Sequence, residues 1–152
     1  MSALTAASVV YIVVHCSSTK PRQKVDKAYM ERVHRMKGRL WIGYHYVIDR
    51  KGNIETGREL HQVGAHAPGF DTKSIGICMA GGMDQEGNRA DNFTKDQREN
   101  LLQLIAMLHQ KFPQAIVVGH RDLPNAKTEC PNFDVQQFLK ESGYVQPIHG
   151  AA

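Results

Sequence analysis

The side chains best suited to chemistry in this sequence are eight histidines (His15, His34, His45, His61, His66, His109, His120 and His149) and three cysteines (Cys16, Cys78 and Cys130). An odd number of widely spaced cysteines argues against a disulfide framework and leaves three readings: buried thiols, a metal ligand or a reactive site. The compartment of synthesis is accordingly expected to be reducing. His15, His120 and Cys130 can be combined. Neutral imidazole and thiolate are good Zn²⁺ ligands, and three protein ligands with one open position is the composition of a catalytic zinc site. Cys16 and Cys78 are alternative ligands, but Cys16 directly follows His15 and is expected to point to the opposite face of a strand. Cys78, inside Ile75-Gly76-Ile77-Cys78-Met79, reads as an inert buried thiol. No compact zinc motif such as His-Glu-x-x-His or Cys-x-x-Cys occurs, so spacing alone carries little weight. His34 and His109 lie among polar neighbours on predicted helices and read as surface residues. His61 reads as a loop residue, His45 as a strand residue and His149 as part of a terminal tail.

The elements that must position these groups can be read from periodicity. The β-branched run Val9 to Val14 predicts a strand buried on both faces, ending at His15. Asp26 is placed to cap a helix carrying Tyr29, Met30, Val33 and Met36, which Gly38 stops. Tyr44 to Ile48 reads as a strand, and Asp49 to Asn53 as the turn of a hairpin to a short strand near Ile54. Val63 to Phe70 reads as a loop, and Ser74 to Ala80 as a second buried strand closed by Gly81-Gly82. Thr94 and Gln97 form a capping-box pattern before the apolar stripe Leu101, Leu104, Ile105 and Leu108, which ends at Pro113. Ala115 to Val118 predicts a strand running into Gly119-His120, and Asp134 caps a last helix with Val135, Phe138 and Leu139, stopping near Gly143. The fold class is therefore α/β: a single domain with a central mixed β-sheet flanked by helices. Residues 1–8 form an N-terminal extension, 9–143 the catalytic domain and 144–152 a C-terminal tail. Two of the buried strands end in a histidine, which puts His15 and His120 at strand ends, where such sheets hold their clefts.

Composition limits the partners. With 152 residues, 41% hydrophobic and 22% charged, the chain suits one soluble domain able to bury roughly 70% of its unfolded surface. The formal charge of +4 and a pI near 9.0 favour acidic polymers without choosing among them. No aromatic-basic interleaving is present, so no nucleic-acid partner is expected. No apolar run approaches the ~20 residues of a membrane helix, and no basic residue precedes the N-terminal apolar run. Neither membrane insertion nor a signal peptide is expected, and the chain is expected to be a monomer.

Five segments, taken together, carry a family resemblance. Val14-His15-Cys16-Ser17-Ser18-Thr19, Ile42-Gly43-Tyr44-His45-Tyr46-Val47-Ile48, Val63-Gly64-Ala65-His66-Ala67, Ser74-Ile75-Gly76-Ile77-Cys78 with Gly81-Gly82, and Gly119-His120-Arg121-Asp122 with Cys130-Pro131 occur in the order of the motifs of the zinc-dependent N-acetylmuramoyl-L-alanine amidases. The chain resembles the phage lysozyme-type members most, and is similar to the animal peptidoglycan recognition proteins. The resemblance spans about residues 9 to 139. It implies hydrolysis of the amide between N-acetylmuramic acid and the L-alanine of the peptidoglycan stem, with one Zn²⁺ per chain held by His15, His120 and Cys130. Tyr44 matches the tyrosine beside the metal-bound water, and His66 falls in the motif that lines the substrate groove. Where phage enzymes commonly have a lysine two residues before the zinc cysteine, this chain has Thr128, flanked by Lys127. Thr128, assisted by Lys127, is the expected oxyanion donor, weaker than an ammonium because a hydroxyl carries no full charge.

The resemblance leaves one rival, a peptidoglycan-binding recognition module without catalysis; in such modules the zinc cysteine is typically replaced, whereas Cys130 is present. It implies a phage or prophage endolysin, made in the cytoplasm and acting on the cell wall after the membrane is breached. The alternative setting is a cytoplasmic enzyme acting on soluble muropeptides.

Overall fold

A run of β-branched residues buried on both faces needs a strand on each side and a layer above and below. In the computed structural model, which describes residues 3–38 and 41–146, strand β1 (Tyr11–Cys16) has this environment. It pairs in parallel with β4 (Ser74–Met79) on one side and with β5 (Ile116–Gly119) on the other. Beyond β4 comes β2 (Tyr46–Ile48), also parallel, and then β3 (Ile54–Thr56), antiparallel to β2 as the hairpin turn requires. The sheet order is β3-β2-β4-β1-β5, a mixed sheet with three helices packed on it. Strand β1 lies two residues later than its apolar run suggests, because His15 and Cys16 still pair with Cys78 and Met79.

The two faces differ. Helices α2 (Lys95–Lys111) and α3 (Val135–Glu141) cover the face bearing Ile12, Val14, Cys16, Ile75, Ile77 and Met79. In α2 the buried Leu101, Leu104, Ile105 and Leu108 form the predicted stripe, and Thr94 and Gln97 close the predicted capping box. Gln97 does more than cap. Its buried side-chain amide donates to the carbonyls of Ala80 (2.7 Å) and Ile48 (3.3 Å), which ties the start of α2 to the ends of β4 and β2. Helix α1 (Lys27–Met36) packs on the opposite face through Met30 against Val47 and Cys78. Asp26 caps α1 by accepting from the Tyr29 amide. Gly38 follows it with φ of 84°, a conformation that glycine adopts without strain.

Helix α1 differs from its predicted face. Met36 is 86% exposed, whereas His34, expected at the surface, is buried. The buried stripe runs from Met30 to His34, an i, i+4 pair, and the imidazole is accommodated because its Nδ1 accepts the Gly43 amide at 2.8 Å. His109 also departs from the surface reading. It is half-buried, hydrogen-bonded through Nε2 to the Ala115 carbonyl (2.8 Å) and through Nδ1 to the Tyr144 hydroxyl, with Tyr144 stacked on its ring. His61 is exposed, as a loop residue is expected to be. His149 lies outside the described residues. Among the described residues no helix is long and apolar enough to cross a membrane.

Replacing Gln97 with alanine removes the donor to the buried Ala80 carbonyl. The expected loss is about 1–3 kcal/mol, a fall in Tm of roughly 2–4 °C per kcal/mol. Urea denaturation should show a lower midpoint with an unchanged m-value.

Candidate metal centre

The register of β1 against β5 builds the site. The pairing ends at Val14 with Gly119, so the residues that follow, His15 and His120, stand side by side with ring centroids 4.7 Å apart. His120 opens a short 3-10 turn, whose Asp122 carboxylate accepts the Gly119 amide at 2.8 Å. The chain then returns, and the Arg121 amide donates to the Cys130 carbonyl at 2.8 Å. That bond brings Cys130 beside both histidines. One ligating atom from each of His15, His120 and Cys130 lies within 4.8 Å of the others. Tetrahedral zinc sets its ligand atoms about 3.5 Å apart, so the set fits Zn²⁺ with at most about an ångström of contraction. Burial lowers the His120 pKa, favouring the neutral imidazole that a metal requires.

Cys16 faces away from His15, as expected, and packs in the core under α2 and α3. It nevertheless reaches the site through its backbone. Its amide donates to Cys130 Sγ at 3.2 Å, a contact that favours a thiolate there. The two thiols are neighbours, and charge on one disfavours charge on the other. Hydrogen bonds from Cys130 and Ser18 pull Cys16 down to about 7 while burial opposes them, and Cys130 is pushed up in turn. Cys78 is fully buried and its thiol is pushed well up by burial, the inert state expected of it.

Tyr44 precedes β2 and is half-buried, its ring 5.0 Å from His15 and 5.1 Å from His34. It packs against the α1-side cluster that contains Cys78 and borders the cavity at the candidate ligands. Thr128 accepts the Cys130 amide at 3.1 Å, which leaves its hydroxyl proton as a donor beside the cysteine. Lys127 is exposed on the same rim. Three cavities adjoin at the candidate ligands, sharing His120, Cys130, Lys127 and Thr128 in their walls. A cavity of about 300 Å³ holds all three ligands with Tyr44 and Lys37. A second, of about 420 Å³, runs past Cys130 between Arg89 and Lys127. A third, of about 580 Å³, runs past His120 along Phe70, Leu123 and Thr128.

His66 occupies a different place from the groove wall expected of it. Its side chain has 0% exposure and lies behind His15, with Nδ1 2.9 Å from His15 Nε2. The ring is buried, yet it borders the same cavity as His15, Tyr44, His120 and Cys130. The loop carrying it is held against the sheet edge, where the Ala65 amide donates to Gly43 and Arg58 donates to the carbonyls of Ile42 and Val63. His45 is also buried. Its Nδ1 accepts the Gly76 amide (3.1 Å) and its Nε2 donates to the Gln62 carbonyl (2.7 Å). Sequence reasoning did not find these supporting roles of His34, His45 and His66, since a histidine beside a glycine-rich loop gives no sign of which way its ring turns.

Comparison with known proteins gives concordant results. The family model described as N-acetylmuramoyl-L-alanine amidase matches residues 5–133. An endolysin of Enterobacteria phage T3 is 37% identical over 144 residues, covering 95% of this chain and 94% of its own. Among solved structures, the endolysin amidase LysCS from Clostridium intestinale superposes with a TM-score of 0.77 at 25% identity, covering 95% of this chain and 90% of that one. Drosophila PGRP-LB does so with a TM-score of 0.72 at 27% identity, covering 97% and 88%.

Burial lowers the His45 pKa from 6.5 to about 4. A histidine depressed in this way contributes stability that is complete above pH 6.5 and is lost as pH falls toward 4, because the unfolded chain binds the proton first. Between pH 7.5 and pH 4.5 this group is expected to remove about 2–3 kcal/mol. Chemical denaturation at the two pH values should show a pH difference smaller by that amount for His45→Gln than for the wild-type protein.

Proposed function

Because the chain belongs to the N-acetylmuramoyl-L-alanine amidase family, we propose that it is a zinc-dependent endolysin that cuts the amide between N-acetylmuramic acid and the L-alanine of the peptidoglycan stem. The observation that carries this reading is the convergence of His15, His120 and Cys130 on one cavity. These three residues would hold the Zn²⁺. When bound, the ion would lower the pKa of a water toward neutrality and polarise the scissile carbonyl.

The remaining steps fall to the chain's own residues. An amide under attack develops negative charge on its carbonyl oxygen, and its leaving nitrogen must gain a proton before it can depart. Tyr44, beside His15, offers a hydroxyl able to orient the attacking water or donate to the developing oxyanion. Thr128, fixed by its bond to the Cys130 amide, is the second donor, and Lys127 stands near enough to add charge. Arg89 and Lys127, on the rim past Cys130, suit the carboxylates of a stem peptide. The overall positive charge suits an anionic wall. The endolysin setting is supported by the T3 relative, which this chain matches over nearly the whole of both lengths; a phage or prophage origin belongs to the same reading.

The purified protein is expected to bind one zinc per chain and to release stem peptides from intact sacculi. Cys130→Ser should lose the metal and the activity together. Tyr44→Phe and Thr128→Ala should keep the metal and slow hydrolysis, by about 10²–10³-fold for a lost oxyanion donor; Lys127→Ala should be slowed less. Full activity in both Thr128→Ala and Lys127→Ala at normal zinc content would remove those residues from the mechanism. Cleavage of soluble muropeptides with sacculi left untouched would replace the endolysin setting by a recycling one.

A further inference from the structure

The hydroxyl of Ser74, at the start of β4, donates its only proton to the Phe70 carbonyl at 2.8 Å. Its oxygen therefore presents lone pairs to His66 Nε2, 3.3 Å away. Asp71 Oδ1 also lies near that nitrogen, at 3.9 Å, and accepts the backbone amides of His66 and Ala67 at 2.9 Å each. With these acceptors beside it, His66 Nε2 carries the ring proton, and in the neutral imidazole Nδ1 then carries the lone pair. That lone pair lies 2.9 Å from His15 Nε2, which is then the donor. A neutral His15 protonated at Nε2 has its own lone pair on Nδ1, the nitrogen not committed to His66.

The position of the His66 ring is built into the backbone. A Cβ added to Gly76 would come within 2.7 Å of three ring atoms, and one added to Gly64 within 2.6 Å of Cδ2. Two glycines from separate segments thus leave a slot that the imidazole fills. Ring contacts close the slot, with His15 edge-on at 5.0 Å between centroids and His45 at 6.0 Å.

We infer that His66 is a positioning residue for the metal, the middle member of a chain Phe70 carbonyl–Ser74–His66–His15 that fixes His15 as its Nε2–H tautomer and turns the Nδ1 lone pair toward the ion. This inference rests on the zinc reading above. It gives His66 a role through His15. Metal-ligating histidines gain affinity from a partner that holds the second ring nitrogen.

The test combines zinc affinity, measured by competition with a chromophoric chelator, with the ¹⁵N–¹H correlation spectrum of the histidine rings in the zinc-loaded full chain. His66→Leu, which removes the acceptor, is expected to bind zinc about 10–100-fold more weakly. His66→Asn, whose amide oxygen can take the place of Nδ1, is expected to stay within about threefold of wild type. Gly76→Ala, which intrudes on the ring without changing any polar group, should weaken zinc in the same direction as His66→Leu. The spectrum of the wild-type protein should show His15 protonated at Nε2. Zinc affinity unchanged in both His66→Leu and Gly76→Ala, or a His15 ring protonated at Nδ1, would overturn the inference. The spectrum decides even where a variant fails to fold. A wild-type chain that binds no zinc would instead overturn the metal reading itself.

Discussion

The parallel pairing of β1 between β4 and β5 is the constraint on which the rest depends. Its register sets Val14 opposite Gly119 and so delivers His15 and His120 to the same edge of the sheet. A slip of one residue in β1 would turn His15 to the core side and Cys16 to the cleft, because side chains alternate along a strand. The register is protected by what it buries. Ile12 and Val14 pack under α2 and α3 while Val13 packs against Val118 and Leu123 on the other face, so a slip would exchange the two sets. The site thus inherits its precision from hydrophobic packing, and only Cys130 depends on a loop. That loop is tied back by the bond from the Arg121 amide to the Cys130 carbonyl and by the Cys16 amide on Cys130 Sγ.

The α1 face carries an unusual load of buried imidazole. His15, His34, His45 and His66 are all buried, and each has hydrogen-bond partners. Buried polar groups cost stability unless they are paired, and burial favours their neutral forms. Here His34 and His45 bond to backbone groups of Gly43, Gly76 and Gln62, while His15 and His66 partner each other. Tyr44 lies in the middle of this group, in ring contact with His15, His34 and His66. The arrangement lines one side of the cavities with imidazole and phenol rings, while Arg89 and Lys127 supply charge on the other.

Much of this architecture was legible in the residues. The β-branched runs marked β1 and β5, the Asp-Arg-Lys-Gly-Asn turn marked the β2–β3 hairpin, and Thr94 with Gln97 marked the start of α2, because each is a local signal decided within a few residues. The convergence of His15, His120 and Cys130 was not a local signal. It arises from strand order, which periodicity does not encode, and spacing alone left the ligand set open until the ordered motifs were taken together. The histidines of α1 and α2 were misread for a related reason. His34 and His109 have polar sequence neighbours, but their burial is decided by Gly43 and by Tyr144, which arrive from elsewhere in the chain. His66 was expected in the groove because its motif lies there, yet the glycine at position 76 opens a slot behind His15 that its ring fills.

In the proposed zinc centre, two imidazoles and one thiolate from distant parts of the chain hold a single zinc ion. X-ray absorption at the zinc edge of the purified protein tests this most directly. The expected shell has one sulfur at about 2.3 Å and two imidazole nitrogens at about 2.0–2.1 Å, with a further light atom completing four-coordination. A zinc shell without sulfur, or one made of sulfur alone, would contradict it.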